Sequence, residues 1–238
     1  MKKIVCIVFV LCSYNSLHTQ VIIALLFGEK LNTGNLQFGI EVTPSLTNIS
    51  NIQSRVKDGL NLGIYLNIKM KERLFIHIEG VAKGTFGAKS IIPYSTGNDT
   101  LDNLFSEGSV TRKIKAFSLP VMLRYGITDL FFVDAGIQPN MQLGAKDIFK
   151  STVNDNELTW TKNINDQITL LDFGLTAGVE YKFSKAKSSM GIGIRYFGGL
   201  VDIDKLLPGK QANNAWLFNV TIPIGTGKAA AKEKETKK

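Results

Sequence analysis

His77 and Glu79, two residues apart, are a pair whose types and spacing suit proton transfer. Residues two apart in a strand share a face, so the imidazole and carboxylate would stand side by side. Neighbouring alternating segments place more ionisable groups on the same kind of polar face: Glu41, Lys69, Arg73, Lys83, Arg124 and Asp134, then Asp172, Glu180, Lys182 and Arg195. A catalyst would need a nucleophile or activated water at an accessible rim. His77 falls mid-segment among charges of both signs, which favours an ion-pair partner over a catalytic base. Buried charges of mixed sign must pair, because an unpartnered one is far costlier. The pattern therefore predicts a polar network inside a closed sheet, plugged and conducting little, with no catalysis.

The elements that would carry these groups are alternating strands. Phe117–Leu143 shows the rule most plainly: Phe117, Leu119, Val121, Leu123 and Tyr125 share one parity, and Ser118, Pro120, Met122 and Arg124 the other. After a short turn, Phe131, Val133, Ala135 and Ile137 alternate with Asp134, Gly136 and Gln138. Similar runs span Gln37–Ser45, Leu60–Lys69, Arg73–Lys83, Ile168–Phe183, Met190–Ile203 and Asn214–Ile224. This makes about eight strands of the length that crosses a bilayer at a tilt.

Connections alternate between long (Thr43–Asp58, Gly84–Ser109, Ala145–Asp166, Asp204–Asn213) and short (Met70–Glu72, Gly126–Asp129, Ser184–Ser188). The expected fold is an all-β, eight-stranded antiparallel up-and-down transmembrane barrel over 36–224. Its long loops would face outward, and its short turns and both termini the periplasm of a Gram-negative cell.

A soluble eight-stranded calycin alternates equally but turns its apolar face inward. Glycine and charge decide between the two. Gly39, Gly63, Gly136, Gly174, Gly178, Gly191 and Gly193 fall on the polar parity, which suits a narrow packed interior. The middles of the apolar faces carry no charge, as lipid requires, since a mid-bilayer Lys or Arg costs roughly 2–4 kcal/mol. Tyr125, Phe131, Tyr181 and Phe183 flank short turns, where an interfacial girdle would lie, and Trp216 suits the opposite interface.

The ends read differently. Residues 1–20 run from Lys2 and Lys3 through an apolar Ile4–Leu11 to a polar stretch, the order of an export signal. Both cysteines, Cys6 and Cys12, and His18 lie in it, leaving His77 as the histidine of the mature chain. Leu11 before Cys12 is a poor lipobox residue. Residues 21–35 are expected to form a short periplasmic segment and 225–238 a disordered basic periplasmic tail. The two ends supply five of the net +8 charges, so the body is nearly balanced and nucleic acid is not an expected partner. No zinc spacing, P-loop or dinucleotide fingerprint occurs, and the glycines of Gly191–Arg195 follow strand alternation, so no cofactor is expected.

The segments LPVMLRYGI, FFVDAGIQPNMQLGAKD, DFGLTAGVEYKF and MGIGIRYFGGLVDI, in this order and spacing along Leu36–Ile224, resemble the PorT-like outer-membrane β-barrel proteins of Bacteroidota. Pro120, Asp172-Phe173-Gly174, Arg195-Tyr196 and Gly199-Leu200 carry the likeness. The resemblance implies an eight-stranded barrel of the outer membrane, inserted by the barrel assembly machinery, and no enzyme. The secretion role of the founding member is not carried over. One departure is the last strand, which ends at Pro223-Ile224 without the usual terminal aromatic.

Three functions compete: a structural or binding barrel, a narrow conduit, and a barrel enzyme using His77. Expected partners are outer-membrane lipid and, through Arg112, Lys113 and Lys115, lipopolysaccharide phosphates. The external ligand of the loops is not specified by the sequence.

Overall fold

The computed structural model describes residues 35–224 except 154, 187, 207 and 208. The expected export signal (1–20), all but Asn35 of the segment 21–35, and the tail 225–238 lie outside the described residues.

Among the described residues, ten strands and one short helix follow in order: β1 (Leu36–Ile49), β2 (Lys57–Lys69), β3 (Leu74–Ile91), α1 (Asp99–Phe105), β4 (Ser109–Ser118), β5 (Val121–Gly126), β6 (Phe131–Val153), β7 (Asn156–Asn163), β8 (Leu171–Lys182), β9 (Gly191–Gly199) and β10 (Asn213–Pro223). β4 and β5 form one stave. Pro120 lacks an N–H and interrupts the ladder there. Leu119 N still donates to Pro139 O (3.0 Å) on one side, and Glu79 N donates to Pro120 O (2.9 Å) on the other. β1 pairs antiparallel with β2 and with β10, from Gly39↔Pro223 to Ile49↔Asn213, so eight staves close into a ring. β7 lies off the ring and pairs with the distal half of β6.

The faces are inverted relative to a soluble barrel. Arg124 and Glu79 are 1% and 2% exposed inside, whereas Leu123 and Leu175 are 55% and 56% exposed outside. Such a surface is stable only against hydrocarbon, where the closed ladder also pairs every strand's backbone groups. On the β4–β5 stave the outward apolar side chains run from Phe117 to Tyr125, the length that crosses a bilayer at a tilt.

Two segments expected to be polar connections are extended structure instead. Residues 84–109 contain the continuation of β3, helix α1 and the start of β4, and residues 145–166 contain the end of β6 and β7. Bulges hide them from a period-2 reading. The β2–β3 register shifts where Leu62↔Lys83 is followed by Gly63↔Val81, and the β4–β6 register shifts where Lys115↔Gly144 is followed by Ala116↔Gln142. Each extra residue exchanges inside for outside along the strand beyond it. Lys83, expected in the lumen, is therefore exposed on the outer face.

Where a Cβ would run into the backbone of the neighbouring stave, the position is glycine. A Cβ on Gly136 would lie 2.1 Å from Val121 O and 2.6 Å from Met122 Cα. Refolded full-length protein is expected to migrate faster unheated than boiled in a denaturing gel. Gly136→Val should cut the fast-migrating fraction severalfold, whereas Ala135→Val on the outer face should not.

Candidate functional site: the lumen and the long-loop mouth

The lumen is built in layers. The middle layer is a belt of paired charges in which Arg124 Nε and Nη2 donate to Asp134 Oδ1 (2.7 Å) and Oδ2 (2.8 Å). Arg124 also reaches Glu180, Nη2 to Oε2 at 2.9 Å. Arg195 Nη1 donates to Glu79 Oε2 (2.8 Å), and its Nη2 lies 2.5 Å from Glu79 Oε1 and 3.7 Å from Glu41 Oε1. Pairing through two guanidinium nitrogens is the strongest geometry for such contacts. Around the rungs Arg124 faces Asp134, Asp134 faces Gly178, and Gly178 faces Arg195. The glycine leaves room for the two long side chains on either side of it.

His77, fully buried, ties the belt to the layer below. Its Nε2 lies 2.6 Å from Glu79 Oε1 and its Nδ1 2.5 Å from Asn67 Oδ1, while its ring stacks on Tyr65 with centroids 5.7 Å apart. Asn67 Nδ2 donates to Gln37 Oε1 (3.1 Å), which also receives Lys182 Nζ (3.1 Å). Lys182 is half-buried over the Phe132 ring. Lys69 and Arg73, expected in the lumen, are instead exposed at the short-turn end, where Arg73 Nη1 donates to Ile127 O (3.2 Å). There the staves end and the lumen opens to water, so a long cation is solvated rather than paired. Asp172 lies on the opposite side of the belt in an amide layer, its Oδ2 accepting from Asn213 (2.9 Å) and Asn140 (3.3 Å).

Above the amides the lumen turns apolar. Ile49, Phe86, Ile114, Phe197 and Leu217 from the staves meet Ile164, Ile168 and Ile203 from the β7–β8 and β9–β10 connections in one buried cluster. Those connections are stitched together, Thr169 N donating to Ile203 O at 2.9 Å. Arg112 holds them to the wall. Its Nε and Nη2 donate to Asp147 (2.9 and 2.8 Å), its Nη1 to Asp204 (2.6 Å), and Tyr94 Oη donates to the same Asp147 (2.7 Å). Arg112 therefore points inward, which corrects its expected place among phosphate-facing cations. Its parity with Ser118, Met122 and Arg124 already carried that signal. Asp147 and Asp204 escaped sequence reading, Asp147 because the bulge before it reverses parity and Asp204 because it lies in a loop.

Outside, Tyr125, Phe131, Tyr181 and Phe183 cluster at the short-turn end, Phe131 directly opposite Tyr181. Trp216 is exposed nearer the long loops and packs on Tyr196, ring centroids 4.9 Å apart. Beyond the mouth, Tyr94, Phe105, Phe149 and Trp160 form a second cluster that seats α1 and the β6–β7 hairpin.

Arg124 is the sole guanidinium within 4 Å of Asp134 and Glu180 among the described residues. Arg124→Met should therefore cost about 3–5 kcal/mol, the usual consequence of stranding buried carboxylates. Urea unfolding in lipid vesicles would measure it. Adding Asp134→Asn and Glu180→Gln should recover much of the loss.

Several solved structures are similar to this chain, three of them as follows. Ail, the attachment invasion locus protein of Yersinia pestis, in complex with the heparin analogue sucrose octasulfate, has 9% identity and a TM-score of 0.43, with 81% of this chain and 100% of that one covered. The outer membrane protein OprG from Pseudomonas aeruginosa has 8% identity and a TM-score of 0.40, with 79% and 91% covered. Neisserial surface protein A has 8% identity and a TM-score of 0.39, with 79% and 96% covered. No curated protein sequence matches. The family described as outer membrane protein beta-barrel domain matches residues 31–205, most of the chain, and this protein belongs to that family.

Proposed function

We propose that this protein is a non-conducting outer-membrane barrel of structural or binding type, presenting its long-loop end to partners outside the cell. The observation that carries this reading is the double closure of the lumen. A charged belt fills the middle, and an apolar cluster made partly of loop residues seals the mouth above it. A conduit would need a continuous polar path, and the buried Phe86, Ile114, Phe197 and Ile203 interrupt one. Both ring nitrogens of His77 are engaged, by Asn67 and Glu79, which leaves neither directed at a hydroxyl nucleophile. The alternation of short turns and long loops supports periplasmic termini, and the apolar leader supports export. The four segments quoted above support a PorT-like assignment within the wider family and delivery by the barrel assembly machinery.

The mouth offers a platform on which to bind. Asn98 caps α1 by accepting from the N–H groups of Thr100 and Leu101, and Asp102 gathers Ser95 and Thr96 beside it. The β6–β7 hairpin projects from the ring with one edge unpaired among the described strands. An edge of this kind accepts an added strand or a loop contact more readily than the closed wall does.

Lipid phosphate is the second expected partner. Lys113 lies directly opposite Lys146 on the outer face, with Lys115 two residues nearer the hydrocarbon band and Lys83 on the adjoining strand. Like charges directly opposite destabilise a ladder, and a bridging phosphate relieves the repulsion.

Purified full-length protein in planar bilayers is expected to give no stable channels, and a large, steady conductance would overturn the proposal. In zwitterionic vesicles Lys113→Gln should raise stability by about 0.2–1 kcal/mol by removing the opposed charges. With lipid A present, the same substitution should lower the melting temperature. The reversal of sign distinguishes a phosphate site from a hydrated rim.

A further inference from the structure

The belt is short of positive charge. Glu41, Glu79, Asp134 and Glu180 face two guanidiniums, those of Arg124 and Arg195, all buried, with the half-buried Lys182 contributing from the layer below, where it is bonded to Gln37. The deficit is localised. Arg124 serves Asp134 and Glu180, and Arg195 is committed to Glu79 through both terminal nitrogens, leaving Glu41 at 3.7 Å. Glu41 Oε1 accepts from Thr43 (2.9 Å) and from Asn219, while Oε2, inside a residue 3% exposed, receives no hydrogen bond.

That orphaned oxygen points at His77, 4.0 Å from Nε2. The tautomer of His77 follows from the chain of hydrogen bonds below it. Lys182 can only donate, so Gln37 turns its oxygen to it. Asn67 then turns its amide nitrogen to Gln37 and its oxygen to His77 Nδ1, which must carry a proton. With Nδ1–H held by Asn67, a proton on Nε2 makes His77 an imidazolium bonded to Glu79 Oε1 at 2.6 Å; without that proton the Nε2 lone pair faces the carboxylates of Glu79 and Glu41, and a bound cation takes the proton's place. An imidazole whose far N–H is held by an amide oxygen is also the usual posture of a metal ligand. His77 Nε2 and one oxygen each of Glu41 and Glu79 lie within 4.8 Å of one another, so small side-chain rotations bring all three to a common centre.

We propose that Glu41, His77 and Glu79 form an intraluminal site for a divalent transition cation. A proton on Nε2 leaves Glu41 Oε2 unserved, and a second proton, on Glu41 itself, would be needed to satisfy that oxygen. A dication faces both carboxylates at once and gives that oxygen a partner. One imidazole nitrogen with two carboxylate oxygens suits zinc better than magnesium or calcium, which take oxygen donors alone. Arg195 holds Glu79 through both carboxylate oxygens, including the Oε1 that faces His77, and so fixes the orientation of a ligand.

The test uses the full-length protein in detergent, refolded from urea after chelator treatment, with zinc as the probe. Equilibrium dialysis with elemental analysis is expected to return one zinc per chain, and zinc should raise the melting temperature where equal magnesium does not. Glu41→Gln keeps the Thr43 contact and removes the charge; it should weaken zinc binding at least tenfold while preserving the heat-dependent gel shift. His77→Gln should do the same and guards against a folding defect in the first variant. A wild-type chain that binds no zinc, or that binds it as tightly after Glu41→Gln, would overturn the site and leave protons to balance the belt.

Discussion

Hydrocarbon offers no partner to a peptide N–H, and the rest of the molecule follows from that. A sheet in lipid must have no edge, which is why β1 meets β10 and why Pro120, without a donor, is tolerated only where Leu119 and the Pro120 carbonyl keep their own bonds to the flanking staves. Closure at eight staves fixes a narrow lumen, and the apolar parity then belongs to lipid. Within the hydrocarbon band the charged side chains of these strands are consequently directed into a space too small to hydrate them freely. The pairing inside is therefore a consequence of the surface outside.

The narrowness explains the order of the layers. Charges lie where the wall is surrounded by lipid and water is farthest, so they are paired most completely there: Arg124 with Asp134 and Glu180, and Arg195 with Glu79. Toward the long loops the lumen passes through amides that need no counter-charge, such as Asn140 and Asn213 around Asp172, and then to aliphatic side chains. Ions in such a belt add little net stability, because desolvation offsets much of the attraction, but they penalise a slipped register heavily. In an eight-stave ring a slip of one residue would turn every charge of a strand into lipid.

The parts legible in the sequence are those that lipid touches. Period-2 alternation is unbroken along Asn61–Ile68 and Leu171–Lys182 because one face must be apolar throughout, and the burial pattern follows the same parity. Above the hydrocarbon band the outer face meets water and that pressure vanishes. The distal half of β6 and all of β7 therefore read as Asn-, Thr- and Lys-rich loop although they are paired strands. Bulges compound the loss, reversing Lys83 outward and Asp147 inward against simple parity. Arg112 differs from its expected place for another reason. Its parity placed it inside, but its depth near the rim suggested phosphate, and the aspartates that draw it inward lie 35 and 92 residues away in sequence. Which carboxylate each guanidinium meets depends on strand stagger around the ring, and stagger is not written in any one strand.

The same division separates the mechanical part of the molecule from the part free to change. Below the mouth, a substitution must satisfy lipid on one face and a packed, charge-balanced lumen on the other, so each stave is constrained twice over. Beyond it, the β6–β7 hairpin, α1 and the loops rest on one aromatic cluster and on the Arg112 clasp, and their outer surfaces answer only to water. Arg112 is the joint between the two regimes: it is anchored in a stave, yet its partner Asp204 belongs to a loop. The clasp and the inward-folded isoleucines fix the base of the loops across the lumen, so the tips can vary without reopening the barrel. A lumen closed from within thus leaves the outer surface of the loops free of any structural demand from the barrel.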